Sequence, residues 1–173
     1  MIINKIFNKK SFFITCILLI MVFVMLLFRK TSTLYYENTY YYLSYPSNGK
    51  YSYEYISETI TMIKDDNQTI GSLCVYPQSE YSDSINSIIT NIYGMHAYLK
   101  EVTYLNKPVP YLSYCILVGY EPSAADEIKA PITYPSEQHY LFIKDDGTII
   151  DFGIQDSFVN SESICVIENF IVK

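Results

Sequence analysis

The sequence predicts an α+β protein in which an N-terminal transmembrane helix is followed by one domain, with an antiparallel β-sheet flanked by a central and a C-terminal helix. Three patterns predict this class. An uncharged apolar run lies near the amino terminus, two hairpin patterns lie far apart in the remaining chain, and an apolar stripe at helical spacing lies between them.

The apolar run covers residues 11–28 and contains no charge, no Gly and no Pro. A helix over this run would rise about 27 Å, close to the hydrocarbon thickness of a bilayer. A cleaved signal peptide would need small residues after the run, where Arg29 and Lys30 stand instead. We therefore expect an uncleaved, single-pass signal-anchor that contacts the lipid bilayer through residues 11–28.

The orientation follows from the basic residues around the run. Lys5, Lys9 and Lys10 precede it and two basic residues follow it, which favours a cytoplasmic amino terminus and a location at the cell membrane. The rest of the chain is long enough for one core. The predicted parts are a cytoplasmic stub at residues 1–10, a transmembrane anchor at 11–28, a juxtamembrane connector at 29–42 and an extracytoplasmic α+β domain at 43–173.

Strands are predicted where Tyr and β-branched residues recur between turn-forming residues. Two pairs of strands enclose short acidic turns, Asp-Asp-Asn-Gln in the first pair and Asp-Asp-Gly in the second, and are expected to form hairpins. The first strand can begin within the connector. The predicted strands cover residues 40–45, 51–55, 56–64, 69–76, 98–105, 111–120, 138–144 and 148–154.

Two helices are predicted in the domain. An apolar stripe at helical spacing, followed by Gly94, predicts the central helix, and Ser79 or Ser82 can cap its start. Asn160 can cap a short C-terminal helix, and residues 121–135 are expected to form an irregular connection. The stripe of the central helix consists of Tyr81, Ile85, Ile88, Ile89 and Ile92, and that of the C-terminal helix of Ile164, Ile167 and Ile171.

The order of these elements is similar to that of the PsbP-like fold. An aromatic strand ends in a YPSNGK turn, and a hairpin, a central helix, a strand block, the closing hairpin HYLFIKDDGTIIDFGI and a C-terminal helix follow. The resemblance covers about residues 42–172 and implies a binding or assembly module more often than an enzyme. Ferredoxin-like and cystatin-like arrangements stay open.

The chain after the apolar run is strongly acidic. Residues 31–173 contain all 18 acidic residues and 7 lysines, so their formal charge is 7 − 18 = −11. Nucleic acids and anionic lipid headgroups are therefore excluded as partners of the domain, because binding to them depends on Lys and Arg near phosphates. A basic or neutral partner is expected.

The two histidines and the acidic residues give only weak candidates for a site. His139 is expected to be a hydrogen-bonded structural residue, and His96 to lie in a solvated loop or in a cleft at the helix end. The acidic pairs of the hairpin turns lack EF-hand spacing and are interpreted as turn residues. These pairs are Asp65 with Asp66 and Asp145 with Asp146, and Asp151 and Asp156 are expected to face outward or to cap.

Cysteine and tyrosine leave alternatives open. Cys74, Cys115 and Cys165 are expected to be buried thiols, and a bridge between Cys74 and Cys115 is the alternative. All 19 tyrosines lie between Tyr35 and Tyr140. They suit a recognition surface for proteins or sugars, but an AT-rich genome would enrich tyrosine as well.

No pattern has the quality of a catalytic, cofactor-binding or metal-binding motif, so no such residue and no cofactor is predicted. We expect a membrane-anchored extracytoplasmic binding or accessory domain, without enzymatic activity, that recognises a protein or a cell-envelope component. One alternative is an immunity- or inhibitor-like protein with a flat acidic face. The other is a membrane-tethered hydrolase, which should show a pocket with two convergent titratable groups.

Overall fold

The computed structural model describes residues 12–22, 24, 32–77, 85–94, 96–103, 105, 107–121 and 135–173. The chain divides into two compact units, Met1–Ser32 and Thr33–Lys173. In the first unit, residues 12–22 form a helix, α1, with exposed apolar side chains such as Phe12 and Leu19.

The prediction of a transmembrane, single-pass anchor over residues 11–28 is wrong for the part of the chain that the structure describes. No helix there is long and apolar enough to cross a membrane. Residues 11, 23 and 25–28 of the predicted anchor lie outside the described residues.

The α+β class is also wrong, because the domain is mostly β. Its described residues form ten strands in two antiparallel sheets, whereas its two α-helices have eight residues each. The strands are β1 Thr33–Glu37, β2 Tyr41–Pro46, β3 Tyr51–Ser57, β4 Ile60–Asp65, β5 Gln68–Tyr76, β6 Ala97–Thr103, β7 Leu112–Tyr120, β8 Glu137–Ile143, β9 Ile149–Gln155 and β10 Ile171–Val172, and the helices are α2 Ile85–Ile92 and α3 Ser161–Glu168.

The larger sheet has seven strands in the order β3-β4-β5-β9-β8-β7-β6, and the smaller has the order β1-β2-β10. Alternate residues of β8 and β9 enter two separate apolar cores, as the two-residue period of a strand requires. Tyr140 and Phe152 pack with the small sheet and α3, whereas Leu141 and Ile149 pack with α2.

Several elements match their predictions. Both hairpins form, and α2 buries Ile88 and Ile89 and is followed by Gly94 at a φ of 93°. Asn160 caps α3, since its side chain accepts hydrogen bonds from the amides of Glu162 and Ser163.

Two details differ or fall outside the described chain. Ile171 does not share the face of α3, because it lies in β10 with its side chain 55% exposed. Tyr81 and residues 122–134 of the expected connection lie outside the described residues.

Candidate functional site

The most unusual polar cluster of the domain lies where β8 and β9 pair. Glu137 and His139 are two residues apart in β8 and therefore share one face of the large sheet. In β9, Gly153 stands opposite His139, and Asp151 stands two residues from Gly153, opposite Leu141. His139 and Asp151 are thus diagonal neighbours on the same face, within reach of a long side chain.

Gly153 leaves the space that the His139 ring occupies. A Cβ atom at position 153 would lie 2.9 Å from both Nδ1 and Cε1 of His139, closer than such atoms approach. Glycine in a strand interior often marks a close approach of this kind.

Asp151 holds one side of the imidazole. His139 Nδ1 lies 2.9 Å from Asp151 Oδ1 and 3.1 Å from Oδ2, and both side chains are only 6% exposed. The other ring nitrogen, Nε2, lies 3.4 Å from Glu137 Oε2, an ion-pair distance. Nε2 is buried and forms no hydrogen bond with any described residue. The Glu137 carboxylate also accepts a hydrogen bond of 3.1 Å from the Tyr120 hydroxyl.

These contacts make His139 a cation at neutral pH. Burial alone would lower its pKa, but the charge and hydrogen bond of Asp151, together with Glu137, outweigh burial and raise the pKa to about 9. The interaction with His139 lowers the pKa of Glu137 despite its partial burial.

Tyr93 connects this cluster to α2. It directly follows the helix, and its ring centroid lies 4.2 Å from that of His139. Burial, and then the nearby Asp151 carboxylate, raise the pKa of Tyr93 well above its ordinary value. Its hydroxyl is buried without a hydrogen bond to a described residue.

A cleft of about 170 Å³ adjoins the cluster and gives His139 and Glu137 a common opening. Its walls combine hydroxyl, amide and thioether groups with two glycines. The lining residues are Met62 on β4, Thr69, Gly71 and Ser72 on β5, Glu137 and His139 on β8, and Gly153 and Gln155 on β9. A second cleft, of about 230 Å³, lies beside Lys107 and Cys115, and its described lining residues include no charge pair of this kind.

The outcome for the sequence candidates is mixed. The prediction that His139 is hydrogen-bonded is confirmed by its contact with Asp151. The contact does not test the expected structural role, and Glu137 was not a candidate. The expectation that Asp151 faces outward or caps is wrong, because its carboxylate is buried against His139. His96 is exposed and does not line the cleft. Asp156 begins a 3₁₀ turn, Asp156–Phe158.

The acidic turns have the conformational role that was expected of them. Asp66 has a φ of 52°, and the Asp146 side chain accepts a hydrogen bond of 2.9 Å from the Thr148 amide. Asp65 pairs with Lys50 at 2.8 Å. Among the described residues, no group of three or more His, Cys, Asp or Glu could hold a metal ion.

The Cys74–Cys115 bridge does not form, and both thiols are free. Cys74 lies on β5 opposite Asp151, whereas Cys115 lies on β7 opposite Tyr140 and packs in the core on the other face. Two strands separate β5 from β7, so the thiols are about 14 Å apart across the sheet. Cys165 is exposed, which contradicts the expectation of a buried thiol.

No protein-family model and no curated protein matches this chain. The resemblance to the PsbP-like fold stays a prediction.

Proposed function

We propose that the domain of residues 33–173 is a non-enzymatic binding domain that recognises a hydroxyl-bearing ligand, such as a sugar unit of a cell-envelope component. One observation carries this proposal. The Nε2 of His139 is buried without a hydrogen-bond partner among the described residues, and His139 is one of the residues that line the cleft. A buried donor without a partner costs about 1–3 kcal/mol, and a ligand that supplies an acceptor recovers that cost.

The neighbouring carboxylate selects the kind of ligand. The Glu137 carboxylate, 3.4 Å from Nε2, would repel an anion bound there. The N–H of the imidazolium would repel an ammonium group. A hydroxyl group satisfies both neighbours, because its oxygen accepts from Nε2–H and its hydrogen is donated to Glu137. Further hydroxyl groups could bond to Ser72, Thr69 and Gln155.

The size of the cleft supports a small ligand. A volume of about 170 Å³ is below the range of about 300–1,000 Å³ that is usual for drug-sized ligands. It suits one sugar ring or a short polyol. The location of the domain outside the cytoplasm stays a prediction.

An acid–base enzyme is the second candidate, since two titratable groups, Glu137 and His139, converge on the cleft. Asp151 fixes the imidazole as the third member of a hydrolytic triad would. However, no described hydroxyl or thiol forms a hydrogen bond with Nε2, so the described residues supply no activated nucleophile.

Titration of the full-length chain with N-acetylglucosamine, glucose and glycerol, followed by NMR of the His139 imidazole, tests the proposal. We expect at least one probe to shift the Nε2–H resonance with millimolar affinity. Glu137→Gln should weaken binding by about 10-fold or more, because a hydrogen bond to a charged group is worth about 1.5–3 kcal/mol.

Glu54→Gln is the matched control, since Glu54 is exposed on β3 and its carboxylate pairs with Lys64. It should leave the affinity unchanged. The absence of any response at His139, or equal effects of the two variants, would overturn the proposal. Turnover of a glycoside or an ester that His139→Gln abolishes would favour the enzyme instead.

A further inference from the structure

The small sheet ends in a strand with a free side. β1 pairs with β2 through all five of its residues, and no other described strand lies beside it. Its side chains are largely accessible, with Leu34 47% and Tyr35 70% exposed. A strand of this kind offers a row of backbone N–H and C=O groups to another chain.

The other edges of the described sheets are less suited to pairing. Register shifts interrupt β3 at residues 55–57 and β6 at residues 99–101, and β10 has only two residues. Bulges and short edge strands are devices that prevent edge-to-edge association. β1 has neither device and contains no Pro or Lys.

An apolar platform accompanies the β1 edge on the outer face of the small sheet. Tyr35 stacks on Tyr42 with ring centroids 6.0 Å apart, and the neighbour of Tyr42 in β10 is Ile171, which is 55% exposed. Every second side chain of an added strand would lie on the same face as the platform, because successive side chains of a strand point to opposite faces of the sheet.

Charge decides which chain can pair there. Glu37 on β1 is already paired with Lys173 at 2.6 Å, so the attraction for a basic chain comes from the net charge of the domain and from Glu58, whose carboxylate accepts a hydrogen bond from the Thr39 hydroxyl close to the β1–β2 turn. The formal charge of −11 that residues 31–173 carry repels a second copy of the same domain and attracts a cationic chain.

We infer that β1 is the docking edge for an extended, basic segment of a partner protein, which adds to the small sheet as a fourth strand. The backbone of β1 supplies the hydrogen bonds, and the platform of Tyr35, Tyr42 and Ile171 contacts alternate side chains of the partner. This surface is separate from the cleft at His139, so either site can fail without the other.

A capped ten-residue peptide of alternating Lys and Val is the probe, and the matching peptide of Glu and Val is its control. In hydrogen-exchange measurements on the full-length chain, the backbone amides of residues 33–37 should exchange more slowly when the Lys peptide is present. The Glu peptide should have no such effect. Tyr35→Lys should weaken binding about 10-fold, since it places a cation on the edge. Tyr98→Lys, at an exposed site on the interrupted β6 edge, should have no effect.

Three outcomes would overturn this inference: protection at β3 or β6 instead of β1, equal binding of the two peptides, or self-association that protects residues 33–37 at rising protein concentration. The last outcome would identify a second copy as the occupant. Tyr35→Lys should keep the wild-type melting temperature, because the Tyr35 side chain is exposed. This measurement checks that the variant is folded.

Discussion

The pKa of His139 leads to a prediction about stability and pH. The folded-state pKa of about 9 lies above the ordinary value of 6.5, so the folded chain binds a proton at His139 more tightly than the unfolded chain does. The stabilisation is therefore complete below about pH 6.5 and is lost as the pH rises through about 9. The difference corresponds to about 3 kcal/mol at about 1.36 kcal/mol per pKa unit.

Asp151→Asn should remove most of this effect. Asn can still accept the hydrogen bond from Nδ1 but carries no charge, so burial would then lower the pKa of His139. At pH 7 the free energy of unfolding should fall by about 3–5 kcal/mol, as for other broken buried ion pairs. Urea denaturation between pH 6 and 9.5 measures both the loss and the slope.

Two controls separate His139 from other groups. Burial also raises the pKa of Cys74 and Cys115. The free energy of unfolding therefore also falls as the pH rises above about 8.5, as it does for His139. That contribution should persist in His139→Gln, so the difference from the wild type isolates the histidine. Glu54→Gln should keep the full slope. A wild-type stability that is constant from pH 6.5 to 9, or an unchanged slope in Asp151→Asn, would refute the reasoning.

Three further predictions concern packing, capping and the cleft. Ile88→Asp should cost several kcal/mol and abolish the cooperative melting transition, because Ile88 is fully buried, whereas Thr90→Asp on the exposed side of α2 should not. Asn160→Ala should lower the free energy of unfolding by about 1–2 kcal/mol in urea, since the cap of α3 is lost; an unchanged midpoint would contradict it. Gly153→Ala should displace the His139 ring, so the pKa of His139 in an NMR titration should fall below about 9. Unchanged ligand binding in this variant would be evidence against the cleft as the binding site.

Local patterns in the sequence predicted the elements that local interactions determine. The hairpin turns contain the Asp and Gly that their conformations require, and Asn160 has the chemistry of a cap. The stripe of α2 has the helical period of a buried face. The apolar run at residues 11–28 shows the limit of this approach, because its composition predicted a membrane-spanning helix, whereas no helix among the described residues is long and apolar enough to cross a membrane.

The candidate site could not be found in the same way, because it depends on register and on packing from other elements. The Glu-x-His pattern of β8 places the side chains of Glu137 and His139 on one face of the strand. The turn between β8 and β9 then sets a register in which Asp151 is a close neighbour of His139. Sequence alone does not say that both faces of the hairpin are buried, including the face that contains Asp151. α2, β5 and β7 decide that, and they turn an expected outward carboxylate into a buried partner of the histidine.

The energetics of the cluster are a reason to expect that it has a role beyond stability. Burying an ion pair costs free energy of desolvation that apolar residues of similar size would avoid. Leu141 and Ile149 already form an apolar core beside Asp151, and Gly153 gives up side-chain packing so that the imidazole can lie across β9. A core residue would serve stability better than His139 with one nitrogen unsatisfied. A ligand at Nε2 would supply the missing hydrogen bond, and at equal ligand concentration it should therefore raise the melting temperature of the wild type more than that of Glu137→Gln.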